Sequence, residues 1–519
     1  MMEMEIFNED MQVAVFTPLD ALFAEYRKDR EALERISAYI LQESGGVSGH
    51  FVSANILENN ANSVSIMGLF QIEPAIRSLD AEYWSRAMSL TDVLEMMDAS
   101  KRNEWAEQIR KHQTPAFEQE SVAATMRQLL NMRAHFMTQR IDGLFRSLSG
   151  EHVTNVPQGF SKRMIIDFML DSYGHVVESR SNFVHDLRCI LAKFTGRDTP
   201  VGRVTYFDLN DMVKEDAYGE WRDFDGGAYR VKLFKKGTAH LEIHPEMAVK
   251  LNQVLASLYP NAIPESFRRK PVKTERVKEF ALSFDLLSFK VIECIRSARL
   301  NCDGNQIRFD HSVSIPKDVL SVLERLGGVQ NGVGCWLFDY DVSSVLKTMY
   351  RTGGLPEQRS HQFYPTPSSI ADVVVELAEI DMTHSVLEPE AGQGGLADRL
   401  PNRDMVTCIE ISQLHCDILM AKGYKHVKCA NFLIANRDWV SHELFDRIVM
   451  NPPFSEGRAL SHLKHAAGML KPGGILVAVL PASLKWKELI PGASHCWSDT
   501  YSGEFEDTGV SVSILKIQK

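Results

Sequence analysis

The chain has 519 residues, a length that implies two to four domains, and its 44% hydrophobic and 24% charged residues are ordinary for soluble globular protein. A formal net charge of −11 excludes a polycation, so any grip on nucleic acid must come from local basic patches. Eight cysteines without a C-x-x-C pair or Cys/His ligand spacing, an acidic start and no apolar run of ~18 residues point to a reduced, cytoplasmic protein with no metal site and no membrane partner.

Residues 1–266 read as a mainly helical α+β domain. Leu19 to Leu41 places apolar residues at helical spacing, and Ser121 to Leu148 does so more clearly, through Val122, Met126, Leu129, Leu130, Phe136, Ile141, Leu144 and Phe145. Thr91 before Asp92-Val93-Leu94-Glu95 is a helix start with an acidic first turn. Arg127, Arg133, Arg140 and Arg146 recur along the second pattern, either as a phosphate-binding row or as a solvated face. Ala228 to Ile243 alternates around Lys235-Lys236-Gly237 and predicts a hairpin. His152, His175 and His185 are scattered and form no catalytic constellation.

Residues 267–305 read as a basic linker and helix. Phe267-Arg268-Arg269-Lys270-Pro271-Val272-Lys273, with Arg276 and Lys278, is the densest positive run in the chain. Residues 306–350 predict a small βαβα module: strand Gln306 to Phe309, helix Pro316 to Leu326 closed by Gly327-Gly328, strand Trp336 to Tyr340 and helix Val342 to Tyr350.

The region 361–519 carries the chemistry. His361-Gln362-Phe363-Tyr364-Pro365-Thr366-Pro367 precedes a helix, Ser368 to Ile380. Strand Ser385 to Glu388 runs into Pro389-Glu390-Ala391-Gly392-Gln393-Gly394-Gly395 and a following helix, and Glu410 ends the next strand about 20 positions on, which suits the hydroxyls of a ribose. The glycines let backbone approach a nucleoside-type ligand, and no G-K-S/T follows that would hold a triphosphate. Strand His426 to Ala430 ends at Asn431-Phe432. Helix Ala459 to Leu470 is closed by Lys471 to Gly474, and strands Ile475 to Leu480 and Val510 to Ile517 complete the region.

Phe445 to Met450 reads as a buried strand that runs straight into Asn451-Pro452-Pro453-Phe454. Two prolines cannot donate to a ladder, so the strand stops there. That leaves a side-chain amide, a main-chain carbonyl and a ring at the carboxyl end of a strand. The bland reading is a strand-ending turn. The functional one is methyl transfer to a planar amine, whose lone pair is delocalised into its ring. The Asn451 oxygen and the Pro452 carbonyl each accept an N–H, localising charge on nitrogen, while Phe454 stacks on the ring. No histidine or lysine base stands in this loop, so the pH profile near neutrality is expected to be flat.

Together these motifs make 361–519 resemble the class I S-adenosylmethionine-dependent methyltransferases, and more narrowly the gamma-type enzymes acting on adenine N6 in DNA. The resemblance implies a Rossmann-like seven-stranded sheet, mostly parallel with its last strand antiparallel. It implies S-adenosylmethionine as cofactor, with Thr366 and Pro367 at its methionine part, Glu388, Ala391, Gly392 and Gly394 lining it, Glu410 on the ribose, and Asn431 with Phe432 on the adenine. Asn451, Pro452, Pro453 and Phe454 form the catalytic loop, and Phe505 packs against the extruded base. The region departs from that pattern twice: Asn431 stands where aspartate is usual, and Glu390 and Gln393 stand where small residues are common. Residues of about 10–265, with Phe160 to Asp167 and the 229–243 hairpin, resemble an uncharacterised N-terminal domain fused to phage and prophage methyltransferases. The 306–350 module resembles one that sits before the Tyr-Pro-Thr-Pro element in those proteins.

The expected acceptor is duplex DNA with the target base flipped out. Residues 361–519 hold five more acidic than basic residues, so the grip on DNA is expected before 361, with Arg268, Arg269, Lys270 and Lys273 on phosphates. Two other functions fit the motifs. One is methylation of an RNA base or a glutamine amide; the other is a non-catalytic protein that shields phage DNA or blocks a nuclease.

Overall fold

The computed structural model describes residues 10–43, 70–91, 93–97, 99–150, 152, 155–156, 158–259, 262–269, 282–310, 314–434, 444–505 and 509–519. The chain divides into two compact units, 1–160 with 248–269 and 161–247 with 270–519, so the division cuts across the expected 1–266 domain. Of the basic linker, Lys270, Pro271, Val272, Lys273, Arg276 and Lys278 lie outside the described residues.

The first unit is helical. Helix α1 (Asp10–Glu43) buries Leu19, Leu22, Phe23 and Tyr26, one stripe at helical spacing, against Tyr83, Trp84, Ala87 and Met88 of α2 (Ile72–Ser89). Short helix α3 (Val93–Met96) starts as expected at Thr91, whose hydroxyl accepts from the Val93 amide, and α4 (Ala99–Arg110) follows. The pattern from Ser121 to Leu148 is not one helix but two, α5 (Gln119–Asn131) and α6 (Arg133–Ser149), parted at Met132. The arginines therefore form no continuous row: Arg127 is on α5, Arg140 is buried, and Arg146 turns outward to Asp142. Periodicity misleads here because the two helices are each amphipathic and Met132 is no helix breaker.

The second unit opens with an antiparallel sheet in the order β1-β4-β3-β2, from β1 (Arg163–Ile166), β2 (Arg222–Phe224), β3 (Tyr229–Leu233) and β4 (Ala239–Ile243). The expected hairpin is β3–β4. Helices α7 (Glu178–Phe194) and α8 (Val204–Lys214) lie between β1 and β2 in the chain; after β4 the chain returns to the first unit, to which α10 (Glu265–Arg268) and all but the first turn of α9 (Pro245–Leu258) belong. Strand β5 (Phe284–Leu286) and α11 (Phe289–Ser297) then lead into a second antiparallel sheet. Its strands are β6 (Arg299–Leu300), β7 (Gln306–Arg308), β8 (Val329–Gln330) and β9 (Cys335–Leu337), with helix α12 (Lys317–Arg325) inserted after β7. Helix α13 (Ser343–Thr352) and strand β10 (Gly354–Pro356), paired with β5, close this part.

The module is therefore larger than its expected 306–350, and it does not stand alone. Its core takes in Phe289, Ile292 and Ile295 of α11 from one side, and Leu414 and Ile418 of the catalytic region from the other. A buried ionic cluster joins it to the first sheet's helices. Arg188 donates to Asp208 (2.6 Å) and Asp225 (2.8 Å) and to the Tyr350 carbonyl (3.0 Å), and Arg296 reaches Asp208 at 2.7 Å. Removing one partner of such a cluster leaves an uncompensated buried charge and is strongly destabilising.

Short helix α14 (Gln358–His361) and α15 (Ser368–Ala378) precede the catalytic sheet. Its strands are β11 (Val386–Glu388), β12 (Val406–Glu410), β13 (His426–Cys429), β14 (Phe445–Met450), β15 (Leu470–Pro481), β16 (Ser494–Tyr501) and β17 (Val512–Gln518), with α16 (Gln413–Ala421) and α17 (Arg458–Gly468) between them. The order is β13-β12-β11-β14-β15-β17-β16, parallel from β13 to β15, with β17 antiparallel to both of its neighbours. Two expectations fail. No α-helix follows the glycine loop, only a 3-10 turn at Ala397–Arg399, because Pro401 excludes the helical region for Leu400. Strand β16 was not expected, since its Ser498-Asp499-Thr500 is polar and the strand lies at the sheet edge. Among the described residues no helix is long and apolar enough to cross a membrane, and no group of three His, Cys, Asp or Glu could hold a metal ion.

One carboxylate clamps the start of this sheet. Asp446 on β14 accepts from the Ser385 hydroxyl (2.7 Å), the Ser385 amide (3.0 Å) and Lys471 (3.0 Å). Partial burial would raise its pKa, but these donors outweigh it and hold it at about 2. Its stabilisation is complete above the ordinary carboxylate pKa of ~4 and is lost as pH falls through about 2. Asp446→Asn is expected to cost about 1 kcal/mol at pH 7, once solvent screening is allowed for, and to flatten that acid dependence in urea unfolding.

Candidate active site

The strand order reverses between β11 and β14. In an open α/β sheet the crevice outside the carboxyl ends at that switch point is where ligands bind. Glu388 ends β11, Glu410 ends β12, and Asn451 follows β14, so three expected site residues reach the same edge of the sheet.

A cavity of about 680 Å³ opens there. Thr366, Glu388, Ala391, Gly392, Glu410, Asn431, Phe432 and Asn451 line it; Pro367 and Gly394 do not. Pro367 instead precedes the first residue of α15, and Gly394 holds a left-handed turn (φ 94°) behind the loop. Gly392 is required for two reasons. Its φ is +53°, and a Cβ there would lie 2.6 Å from the Phe363 ring.

The cavity is acidic. Glu410 accepts from the Gly392 amide (2.9 Å) and the Ser412 amide (2.8 Å) and faces His415 at 3.7 Å. Burial works against its charge, but His415 and the two amides outweigh burial and keep its pKa below the ordinary range. Glu388 is different. One oxygen is held by the Ala397 amide, the other is buried with no partner among the described residues, and burial drives its pKa well up. Glu390 is also pushed up by burial, although His462 bonds it at 2.6 Å; its second oxygen is buried and unpartnered. A cleft with two orphaned carboxylate oxygens is built for a cationic ligand.

Asn431 and Phe432 sit at the other end. The Asn431 oxygen accepts from the Leu433 amide (3.0 Å), and the Phe432 ring packs edge-on to His465. The sequence did not single out Glu390 with His462 as a pair, nor Phe363, nor Lys422, which donates to the Gln393 carbonyl and Asp398. Gln393 itself reaches the Arg325 carbonyl at 2.8 Å and so ties the glycine loop to α12. His361 and His462 line this cavity, apart from the 451–454 loop to which the expectation of no histidine base applies; burial holds His361 below its ordinary pKa.

Asn451 stands in the wall between this cavity and a second of about 430 Å³. Its amide nitrogen donates to the Thr366 hydroxyl (3.1 Å) and the Tyr364 carbonyl (3.4 Å). With that end anchored, the oxygen is the end left to accept. Pro452, Pro453, Phe454 and Phe505 line the second cavity with it. Gln362 lines both, and its oxygen accepts from the Ser455 amide, which steadies the loop. Among the described residues, no histidine, lysine or carboxylate lines the second cavity.

Residues 375–495 match the methyltransferase small domain, and residues 76–261 match a domain of unknown function, DUF4942. No curated protein matches the chain. Solved structures with some likeness include an N-methyltransferase, NodS, from Bradyrhizobium japonicum in complex with S-adenosyl-L-homocysteine, at 17% identity over 29% of this chain and 85% of that one, TM-score 0.24. An rRNA methylase from Streptococcus thermophilus is similar at 13% identity over 29% and 93%, TM-score 0.23. A precorrin-6y C5,15-methyltransferase from Geobacter metallireducens follows at 16% over 29% and 88%, TM-score 0.23. The C-terminal region is a methyltransferase domain, an enzyme unit whose cofactor is S-adenosylmethionine.

Proposed function

We propose that this protein methylates the N6 amino group of adenine in DNA, taking the base flipped out of the duplex. The observation that carries the reading is the position of Asn451, in the wall shared by an acidic, glycine-lined cavity and a smaller one flanked by Phe454 and Phe505. S-adenosylmethionine supplies an electrophilic methyl group on a sulfonium. On the other side of the wall, Asn451 Oδ1 and the Pro452 carbonyl accept the two N–H groups of the amine, and lone-pair density gathers on its nitrogen. Phe454 and Phe505 hold the ring. The nitrogen–carbon bond forms as the carbon–sulfur bond breaks, and the surplus proton leaves the amine to water, because no basic side chain among the described residues lines the second cavity. Two rings at this slot favour a planar base over a glutamine amide, and Thr366 becomes a positioning residue through its bond to Asn451.

Transfer of a tritiated methyl group to separate DNA, RNA and protein pools, followed by nucleoside analysis, tests the reading. N6-methyladenine in DNA is the expected product. Label confined to RNA or to protein would overturn the acceptor.

A further inference from the structure

One face of the first antiparallel sheet of the second unit is cationic and aromatic. Register sets Asp223, Arg230, Glu242 and Arg163 in one row across it, and Lys232 beside His240 in the next. Lys162, Arg163 and Arg230 converge on the single carboxylate of Glu242, at 3.1, 3.8 and 2.9 Å. Trp221, just before β2, lies under Arg230 (4.7 Å), Arg163 (5.4 Å) and Lys232 (5.8 Å). Lys232 also approaches Phe234, whose ring packs on His240 at 4.5 Å. The opposite face, with Met164, Ile166, Val231, Leu233, Leu241 and Ile243, is buried.

Glu242 is 4% exposed, whereas the side chains of Lys162, Arg163 and Arg230 are 72%, 54% and 42% exposed. The Glu242 carboxylate is sunk; with Asp223 exposed at the end of the row, the face sets four cations, Lys162, Arg163, Arg230 and Lys232, against two carboxylates. Each arginine of the row faces a carboxylate on the neighbouring strand, which steadies it, and with Lys162 and Lys232 the face as a whole keeps a net positive charge. The chain as a whole is acidic, and its catalytic region carries an excess of five acidic residues. A polyanion therefore needs a local foothold of this kind.

We propose that this sheet face binds the phosphate backbone of duplex DNA, which gives a role to part of the domain of unknown function and deepens the reading of DNA as substrate. Arg163, Arg230 and Lys232 are the contacts, held ready by the Trp221 ring and Glu242. Such contacts set position and register and carry no sequence information themselves. The sheet belongs to the same compact unit as the catalytic strands and is joined to the module by the Arg188 cluster.

The test is binding of fluorescent duplex DNA and duplex RNA to the full chain over a salt series, for the unaltered protein and for Arg163→Gln/Arg230→Gln/Lys232→Gln. Each lost phosphate contact lowers the slope of log affinity against log salt by about 0.9, so the triple variant should lose about 2.7 on DNA. S-adenosylmethionine binding by calorimetry should not change. Should the triple variant fail to fold, Lys232→Gln alone should lose about 0.9. DNA binding by the unaltered protein with an unchanged slope in the variants overturns the surface and leaves the methylation reading intact. Unaltered protein that binds only RNA, or neither duplex, overturns both.

Discussion

Asn451→Ala is expected to lower kcat for methyl transfer by about 10²–10³-fold while leaving S-adenosylmethionine affinity within about threefold. The size follows from what is removed. A preorganised acceptor acts only as charge develops on the amine, so its loss appears in kcat and not in ground-state binding. Asn451 is placed for this because Thr366 and the Tyr364 carbonyl hold its amide nitrogen, which removes the rotational choice between oxygen and nitrogen. Thr366→Val should therefore cost about tenfold in kcat without touching the amide, through loss of orientation. If Asn451 were only a strand-ending turn residue, the alanine variant would lose stability and keep its rate. Single-turnover kinetics with calorimetry on the same preparations separates the two. Since neither histidine nor lysine among the described residues lines the second cavity, kcat at saturating cofactor should stay flat between pH 6 and 8.

The catalytic sheet was legible because its inner strands carry apolar, β-branched stretches ended by a turn signal, as in Ile448 to Met450 before Asn451-Pro452-Pro453. The positions of Glu388, Glu410 and Asn451 at one edge follow from those ends. Pairs formed across the fold were not legible. Glu390 and His462 are 72 positions apart and meet because β11 and β14 are neighbours, which no local pattern encodes. Edge strand β16 hid in polar sequence, and the break at Met132 hid in unbroken periodicity. The helix expected after Gly395 was a misreading with a visible remedy, for Pro401 leaves too few residues before it. Nor did the sequence show that the 306–350 module shares a core with α16, because the helical spacing of Leu414 and Ile418 does not say which neighbour that side of the helix meets.

Glu388→Gln is expected to weaken S-adenosylmethionine binding by about ten- to a hundredfold, and S-adenosyl-L-homocysteine binding less. In the cofactor-free protein burial raises the pKa of Glu388, with the nearby charges of Asp398, Glu390 and Glu410 adding to it. A cation entering the cleft favours the ionised form, so binding releases a proton, and affinity for the cofactor rises with pH until the free carboxyl is already ionised. The product thioether lacks the sulfonium charge and gains less from the same carboxylates, which aids its departure. Calorimetry in buffers of different ionisation enthalpy measures the released proton directly, and the glutamine variant should release less. Stability distinguishes this from a structural role. A half-satisfied carboxyl whose charge burial disfavours loses little by becoming a neutral amide, so thermal stability should hold or rise. A variant that binds cofactor normally and melts lower would assign Glu388 to the framework of β11, and the orphaned oxygen to packing alone.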